Sequence, residues 1–228
     1  MLVTLGPFTF DPAHTAVQER HDEVGGRRER IIEISGLIVG ESTADAVEAR
    51  LDALLDAASA EDYSADLSVR PGRRLWVRRE SFTRQIESSA RVGSFTLKLK
   101  AKSPFEEAVE RSVYPWPIAD TGEVLYLAPA GNVFALPLVS VTAVGDLVNP
   151  AVSDGVRTIE YAGIVRDGVT LAFDAINGRV TLDGEDVSPY TAGEFPRLEP
   201  EGTTLTYTDD VSSTHNASAT VEFHSRWW

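Results

Sequence analysis

Residues 95–102 read Phe95-Thr96-Leu97-Lys98-Leu99-Lys100-Ala101-Lys102. Apolar side chains fall at every second position and polar ones between them, the period of a half-buried β-strand. Lys98, Lys100 and Lys102 are the only lysines in the chain, and they share the polar face. Such a row fits a solvated strand face; it also fits a contact between subunits.

The residues before this strand read the same way, with one interruption. Ile31-Ile32-Glu33-Ile34-Ser35-Gly36-Leu37-Ile38-Val39 is β-branched and follows a Gly25-Gly26 turn. Ala65 to Val69 is a short strand, and Pro71-Gly72 turns it into Arg74 to Phe82. Between them lies a helix, expected from about Thr43 to Ser59. Ser42 is its expected hydroxyl cap, with Asp45 three residues on. Val47, Leu51, Leu54, Leu55 and Ala58 recur at helical spacing and should lie against a sheet.

After Lys102 the pattern breaks. Ser103-Pro104-Phe105-Glu106 has the form of a capping box with proline at the first helical position. It allows a short helix to Arg111 or a kink out of the sheet. In Tyr114-Pro115-Trp116-Pro117 two prolines stand within three residues, which no central strand accommodates. These features set the expected domains: a β-domain with one helix over 1–103, a linker over 104–119, and a second domain over 120–228.

The second domain shows short strands about every ten residues, among them Phe134–Val144, Val169–Asp174, Arg179–Leu182 and Ala217–Phe223. Turn dipeptides separate them: Gly131-Asn132, Asp154-Gly155, Asp167-Gly168, Asn177-Gly178 and Asp183-Gly184. This spacing predicts an antiparallel β-sandwich, so the fold class is mainly β.

Composition narrows the function. The 228 residues carry 21 Lys+Arg against 35 Asp+Glu, a net charge of −14, which disfavours binding to nucleic acid phosphates. The imbalance is local: residues 1–103 hold 15 bases and 16 acids, residues 104–228 hold 6 and 19. No apolar run approaches the ~18 residues of a membrane span, and no signal peptide is recognisable, so a soluble chain is expected. With no cysteine, thiolate catalysis and disulfides are excluded. His14, His21, His215 and His224 lack the i, i+4 spacing of a metalloprotease. The acids Asp183, Glu185 and Asp186 break the pattern of a calcium loop and read as a solvated turn. No GxSxG, P-loop or GxGxxG is present. No catalytic, cofactor or metal site is therefore expected, and the chain reads as a binding or structural module.

One basic cluster stands out. Arg70, Arg73, Arg74, Arg78 and Arg79 crowd a single hairpin. In an acidic protein, carboxylates of a protein surface are their natural partners, and solvated charge is the plain alternative. These five arginines, with Lys98, Lys100 and Lys102, are the candidate subunit-contact residues.

The order of several weak motifs carries a resemblance. Gly131 precedes the strand Phe134-Ala135-Leu136-Pro137-Leu138, and Asn149-Pro150 follows. Then come Arg179-Val180-Thr181-Leu182-Asp183-Gly184, Gly193-Glu194-Phe195-Pro196-Arg197-Leu198-Glu199-Pro200-Glu201-Gly202, and a last strand ending Arg226-Trp227-Trp228. This succession resembles the C-terminal half of phage distal tail proteins, the Dit family of siphophage tails. The first half, with a strand holding Gly36 to Gly40 and then one helix, is similar as well. Glu201 departs from the pattern, since glycine usually follows the proline directly.

The resemblance implies an N-terminal domain that forms a hexameric ring and a galectin-like C-terminal sandwich pointing outward. It implies a place at the virion tail tip, between the tail tube protein and the tip hub protein. Synthesis in the host cytoplasm, no enzymatic activity and receptor-binding proteins as a further candidate partner go with it. Nucleic acid and membrane are not expected partners. The charge pattern agrees physically: a near-neutral first half suits heterologous contacts, and copies of an acidic second half repel one another. The alternative is a carbohydrate-binding module recognising a host glycan. Its platform would come from Tyr114, Trp116, Tyr126, Tyr161, Tyr190, Tyr207, Trp227 and Trp228.

Overall fold

In the computed structural model, which describes every residue except Met1, Gly25, Gly26, Ala60, Glu61 and Ala90, the chain divides into two units. The first comprises residues up to Val109 together with Trp228; the second runs from Glu110 to Trp227. The expected Gly25-Gly26 turn lies outside the described residues.

The first unit contains β1 (Thr4–Leu5), β2 (Phe8–Thr9), β3 (Thr15–Val24), β4 (Arg27–Ile38), α1 (Ala44–Ala57), β5 (Ala65–Ser68), β6 (Arg73–Glu87), β7 (Val92–Ala101) and β8 (Glu106–Ala108). All pairs are antiparallel. The strand order is β2-β1-β5-β6-β7-β4-β3, and β8 pairs with the start of β6. The alternation of residues 95–102 is realised in β7. Phe95, Leu97, Leu99 and Ala101 are buried, and Lys98 and Lys100 lie on the opposite face.

Helix α1 covers the apolar face of this sheet with Val47, Leu51, Leu54 and Ala58, all fully buried; Leu55 is only partly so. Its cap is Thr43 rather than Ser42: Thr43 is extended (φ −140°, ψ 162°), and its hydroxyl accepts from the Ala46 N–H at 3.1 Å. Asp45 in the first turn complements the helix dipole. Gly93 in β7 lets the helix come close. A Cβ there would stand 2.7 Å from Val47 Cγ1 and 3.0 Å from Leu51 Cδ1.

The stretch expected as a linker, 104–119, is shared between the units. Residues 103–105 kink instead of starting a helix, and β8 then docks along β6, Arg73 opposite Ala108 and Arg74 opposite Glu107. The N–H of Val109 donates to Gly72 O at 3.0 Å and ends the first unit. Ser112–Ile118 is β9, a strand of the second unit paired with 217–223. It tolerates Pro115 and Pro117 because it is an edge strand. Prolines two residues apart turn their missing donors to the same side, here the unpaired one.

The second unit continues with β10 (Val124–Leu127), β11 (Leu138–Ala143), β12 (Leu147–Val148), β13 (Ala151–Ser153), β14 (Thr158–Tyr161), β15 (Ile164–Val165), β16 (Thr170–Asp174), β17 (Arg179–Leu182), β18 (Glu185–Asp186), β19 (Thr191–Gly193), β20 (Thr203–Thr208) and β21 (Ala217–Phe223). Two antiparallel sheets, β10-β20-β13-β14-β19 and β18-β17-β16-β11-β21-β9, enclose one core. Val152, Ile159, Leu205 and Tyr207 enter it from the first sheet. Trp116, Val139, Val141, Leu171, Phe173 and Val221 enter it from the second. The expected β-sandwich is thus what forms. The Asp183-Gly184 hairpin has positive φ at both residues (46° and 88°), the geometry of a two-residue primed turn.

Candidate assembly surface

Three of the candidate arginines are held inside the first unit. Glu106 on β8 is buried and accepts from Arg30 Nη2 at 2.9 Å and from Arg70, with Arg73 Nη1 3.6 Å from its second oxygen. Arg30, also buried, additionally donates to Glu19 and, through Nη1, to Pro104 O at 3.1 Å. Arg74 Nε donates to Glu107 at 3.0 Å, and its guanidinium lies 4.6 Å from the Trp76 ring centre. Buried ions are tolerated only when paired, and strands distant in sequence supply that pairing here, while Arg30 Nε and Glu106 Oε2 are buried without a hydrogen-bond partner.

The other cations face outward. Arg78 stacks over Tyr63 at 4.9 Å, while Arg79 and Lys102 are exposed. Lys98 lies between Ser81 and Glu33 in the adjacent strands. Lys100 Nζ is 2.6 Å from Glu29, and this hydrogen bond pushes its ammonium above the usual lysine range. Arg78, Lys98 and Lys100 therefore share the face of the sheet away from α1, among Ser81, Thr83, Ser94 and Thr96.

Strand pairing leaves two long edges open among the described residues. β3 ends the sheet order, so one side of Thr15–Val24 has no strand partner. β6 pairs with β5 only through Leu75, Trp76 and Val77, so Arg78–Glu87 is paired on one side alone, to β7. Neither edge carries proline. Their charges differ: β3 has Glu19, Asp22 and Glu23 against Arg20, and residues 78–87 have Arg78, Arg79 and Arg84 against Glu80 and Glu87. Long unprotected edges are templates for a further strand. The alternating pattern of β7 gave no signal for them, because an open edge is a property of topology.

The second unit contains a separate polar cluster. Asp209 accepts from the Tyr207 hydroxyl at 3.1 Å and lies 2.6 Å from His215 Nδ1. Burial, and then the Asp209 carboxylate, push the Tyr207 phenol well above its ordinary range. Burial pushes the Asp154 carboxyl up, but it accepts from the N–H groups of Arg157, Arg197 and Val156 and from the Arg157 side chain, and the net effect is downward. Among the described residues no group of three His, Cys, Asp or Glu is placed to hold a metal. Several candidate sugar platforms are in cores: Trp116, Tyr161 and Tyr207 are buried. Trp228 meets Phe105 edge-on at 5.1 Å under the Arg28 guanidinium. Tyr126 and Tyr190 remain exposed.

No family model and no curated protein matches the chain. Among solved structures, the crystal structure of phage SPP1 Dit (gp 19.1) aligns with a TM-score of 0.71 and 13% identity, over 100% of this chain and 99% of that one. The chain has the fold of SPP1 Dit. That protein is a paradigm of the hub adsorption apparatus in phages infecting Gram-positive bacteria. The alignment with SPP1 Dit takes in both units, the helix-bearing sheet and the sandwich alike.

Proposed function

We propose that this chain is a structural component of a phage tail tip, a Dit-like protein that forms a ring, hexameric by family resemblance, between tail tube and tip hub. The observation that carries the reading is the end-to-end likeness to one hub protein. The open edges supply a physical route to a ring. In the run β6-β7-β4-β3 the strands alternate in direction, so β6 and β3 are antiparallel. Rotation about an axis along the strands keeps those directions. The β3 edge of one copy then meets the β6 edge of the next as an antiparallel pair, a heterologous contact that can close.

In this reading Arg78, Arg79, Lys98 and Lys102 are the contact cations, towards neighbouring copies or the tail tube protein. Arg70, Arg73, Arg74 and Lys100 first satisfy carboxylates of their own unit. The tip hub protein and receptor-binding proteins are the remaining partners, and the role is structural rather than enzymatic. Immunogold labelling of intact virions with antibody to this chain tests the location. Label at the tail tip is expected; label on the capsid, or none, would overturn the reading.

A further inference from the structure

We propose that Asn177 is a site of spontaneous deamidation, and that its conversion unpins the hairpin between β16 and β17. The chain has four asparagines, and Asn177 alone is followed by glycine. Strand pairing ends at Asp174 opposite Arg179, so Ala175, Ile176, Asn177 and Gly178 form the loop. Asn177 and Gly178 are both exposed, and Gly178 has a positive φ of 65° with open space where a Cβ would stand. No side chain on Gly178 therefore hinders its backbone nitrogen from reaching the Asn177 carboxamide. In the reaction that nitrogen gives up its proton and bonds to Asn177 Cγ. The Cγ–Nδ2 bond breaks, and the amide nitrogen takes up a proton and leaves as ammonia. Water then opens the cyclic imide, at the side-chain carbonyl to give aspartate or at the main-chain carbonyl to give isoaspartate.

The fold gives this change a structural effect. Asp174 is buried and anchors the loop: its Oδ1 accepts from the Ile176 and Asn177 N–H groups, each at 3.0 Å, and its Oδ2 accepts from Asn177 Nδ2 at 2.6 Å. Three other turns pair aspartate with glycine: Asp154-Gly155, Asp167-Gly168 and Asp183-Gly184. There the carboxylate accepts from main-chain N–H groups, Asp154 from Val156, Asp167 from Gly145 and Asp183 from Thr170. Position 177 differs, since its side chain donates, which an ionised carboxylate cannot do. Hydrolysis replaces that donor with a negative charge beside Asp174. Arg179 Nε, 3.7 Å from Asp174 Oδ2 on an exposed side chain, offsets it only in part. Isoaspartate also adds a backbone methylene between the paired Asp174 and Arg179. Phe173 and Val180, the next pair inward, lie in the core of the second unit, so the disturbance reaches its packing.

Peptide mapping of the full-length chain by mass spectrometry, after incubation at mildly alkaline and mildly acidic pH, tests the site. Trypsin releases residues 167–179 as one peptide holding Asn177. Conversion there should be faster at alkaline pH and several-fold faster than at Asn132, Asn149 or Asn216, and isoaspartyl methyltransferase should label the same peptide. Asn177→Gln, whose longer side chain closes its ring slowly, should stay unconverted. Asn177→Asp should lower the urea midpoint of the second unit and leave that of the first unchanged. An Asn177 that stays intact, or converts no faster than Asn216, would overturn the site. An Asn177→Asp chain as stable as the parent would overturn the unpinning.

Discussion

Arg30 and Glu106 stand 76 positions apart in the chain and meet inside the first unit, Nη2 to Oε1 at 2.9 Å, with side chains only 1% and 2% exposed. Two charges removed from water so completely must compensate each other. Glu106 further gathers Arg70 and Arg73, and Arg30 also donates to Glu19. The segment that follows the lysine-bearing strand is thereby fixed to the first unit.

Glu106→Ala leaves Arg30, Arg70 and Arg73 crowded without their shared carboxylate. Breaking a buried pair typically costs about 3–5 kcal/mol. Calorimetry of the full chain should show the transition of the first unit lowered and that of the second unchanged. An unshifted first transition would mean that the cluster does not stabilise the fold.

Leu51→Ala and Leu54→Ala each empty a fully buried site under the helix. Each should destabilise the first unit by about 2–5 kcal/mol, read from denaturant midpoints. Gly93→Ala should cost less, about 1–3 kcal/mol, because Val47 and Leu51 must shift to admit one methyl group. A neutral Gly93→Ala would show that the helix does not rest on that point.

Tyr207 makes the second unit sensitive to alkali. Its folded-state value is raised above the ordinary 10.0, so the unfolded chain releases the proton first. The stabilisation is complete below about pH 10 and is lost as pH rises towards the folded value. Urea midpoints of the second unit should fall more steeply between about pH 9 and 11 in the parent than in Tyr207→Phe. Equal slopes would contradict this assignment.

Reversing Arg78 and Arg79 to Glu should leave the monomer folded, since neither belongs to the Glu106 cluster, Arg79 is exposed and half-buried Arg78 gives up only its stacking on Tyr63. Sedimentation velocity should then show the ring lost or strongly weakened at low salt. Unchanged assembly of this double variant would remove the arginines from the contact.

The strand alternation of residues 95–102 and the apolar helical stripe were legible because each is a local period that burial reads directly. Turn dipeptides marked the second unit for the same reason. What escaped were non-local relationships. The Glu106 site reads locally as a capping box, and only the tertiary fold brings Arg30 and Arg70 to it from 76 and 36 positions away. Pro115 and Pro117 read as a linker because edge position, which makes them tolerable, is set by the order of strands. The crowded arginines looked uniform in sequence. In the fold, some face a buried acid and others face solvent.

Native mass spectrometry of the full-length chain, across a range of protein concentrations at low and moderate salt, tests the assembly most directly. A closed oligomer of defined stoichiometry, six copies by family resemblance, is expected in equilibrium with monomer and weakened by salt. A chain that stays monomeric at every concentration, or one that forms only two-fold dimers, would contradict it.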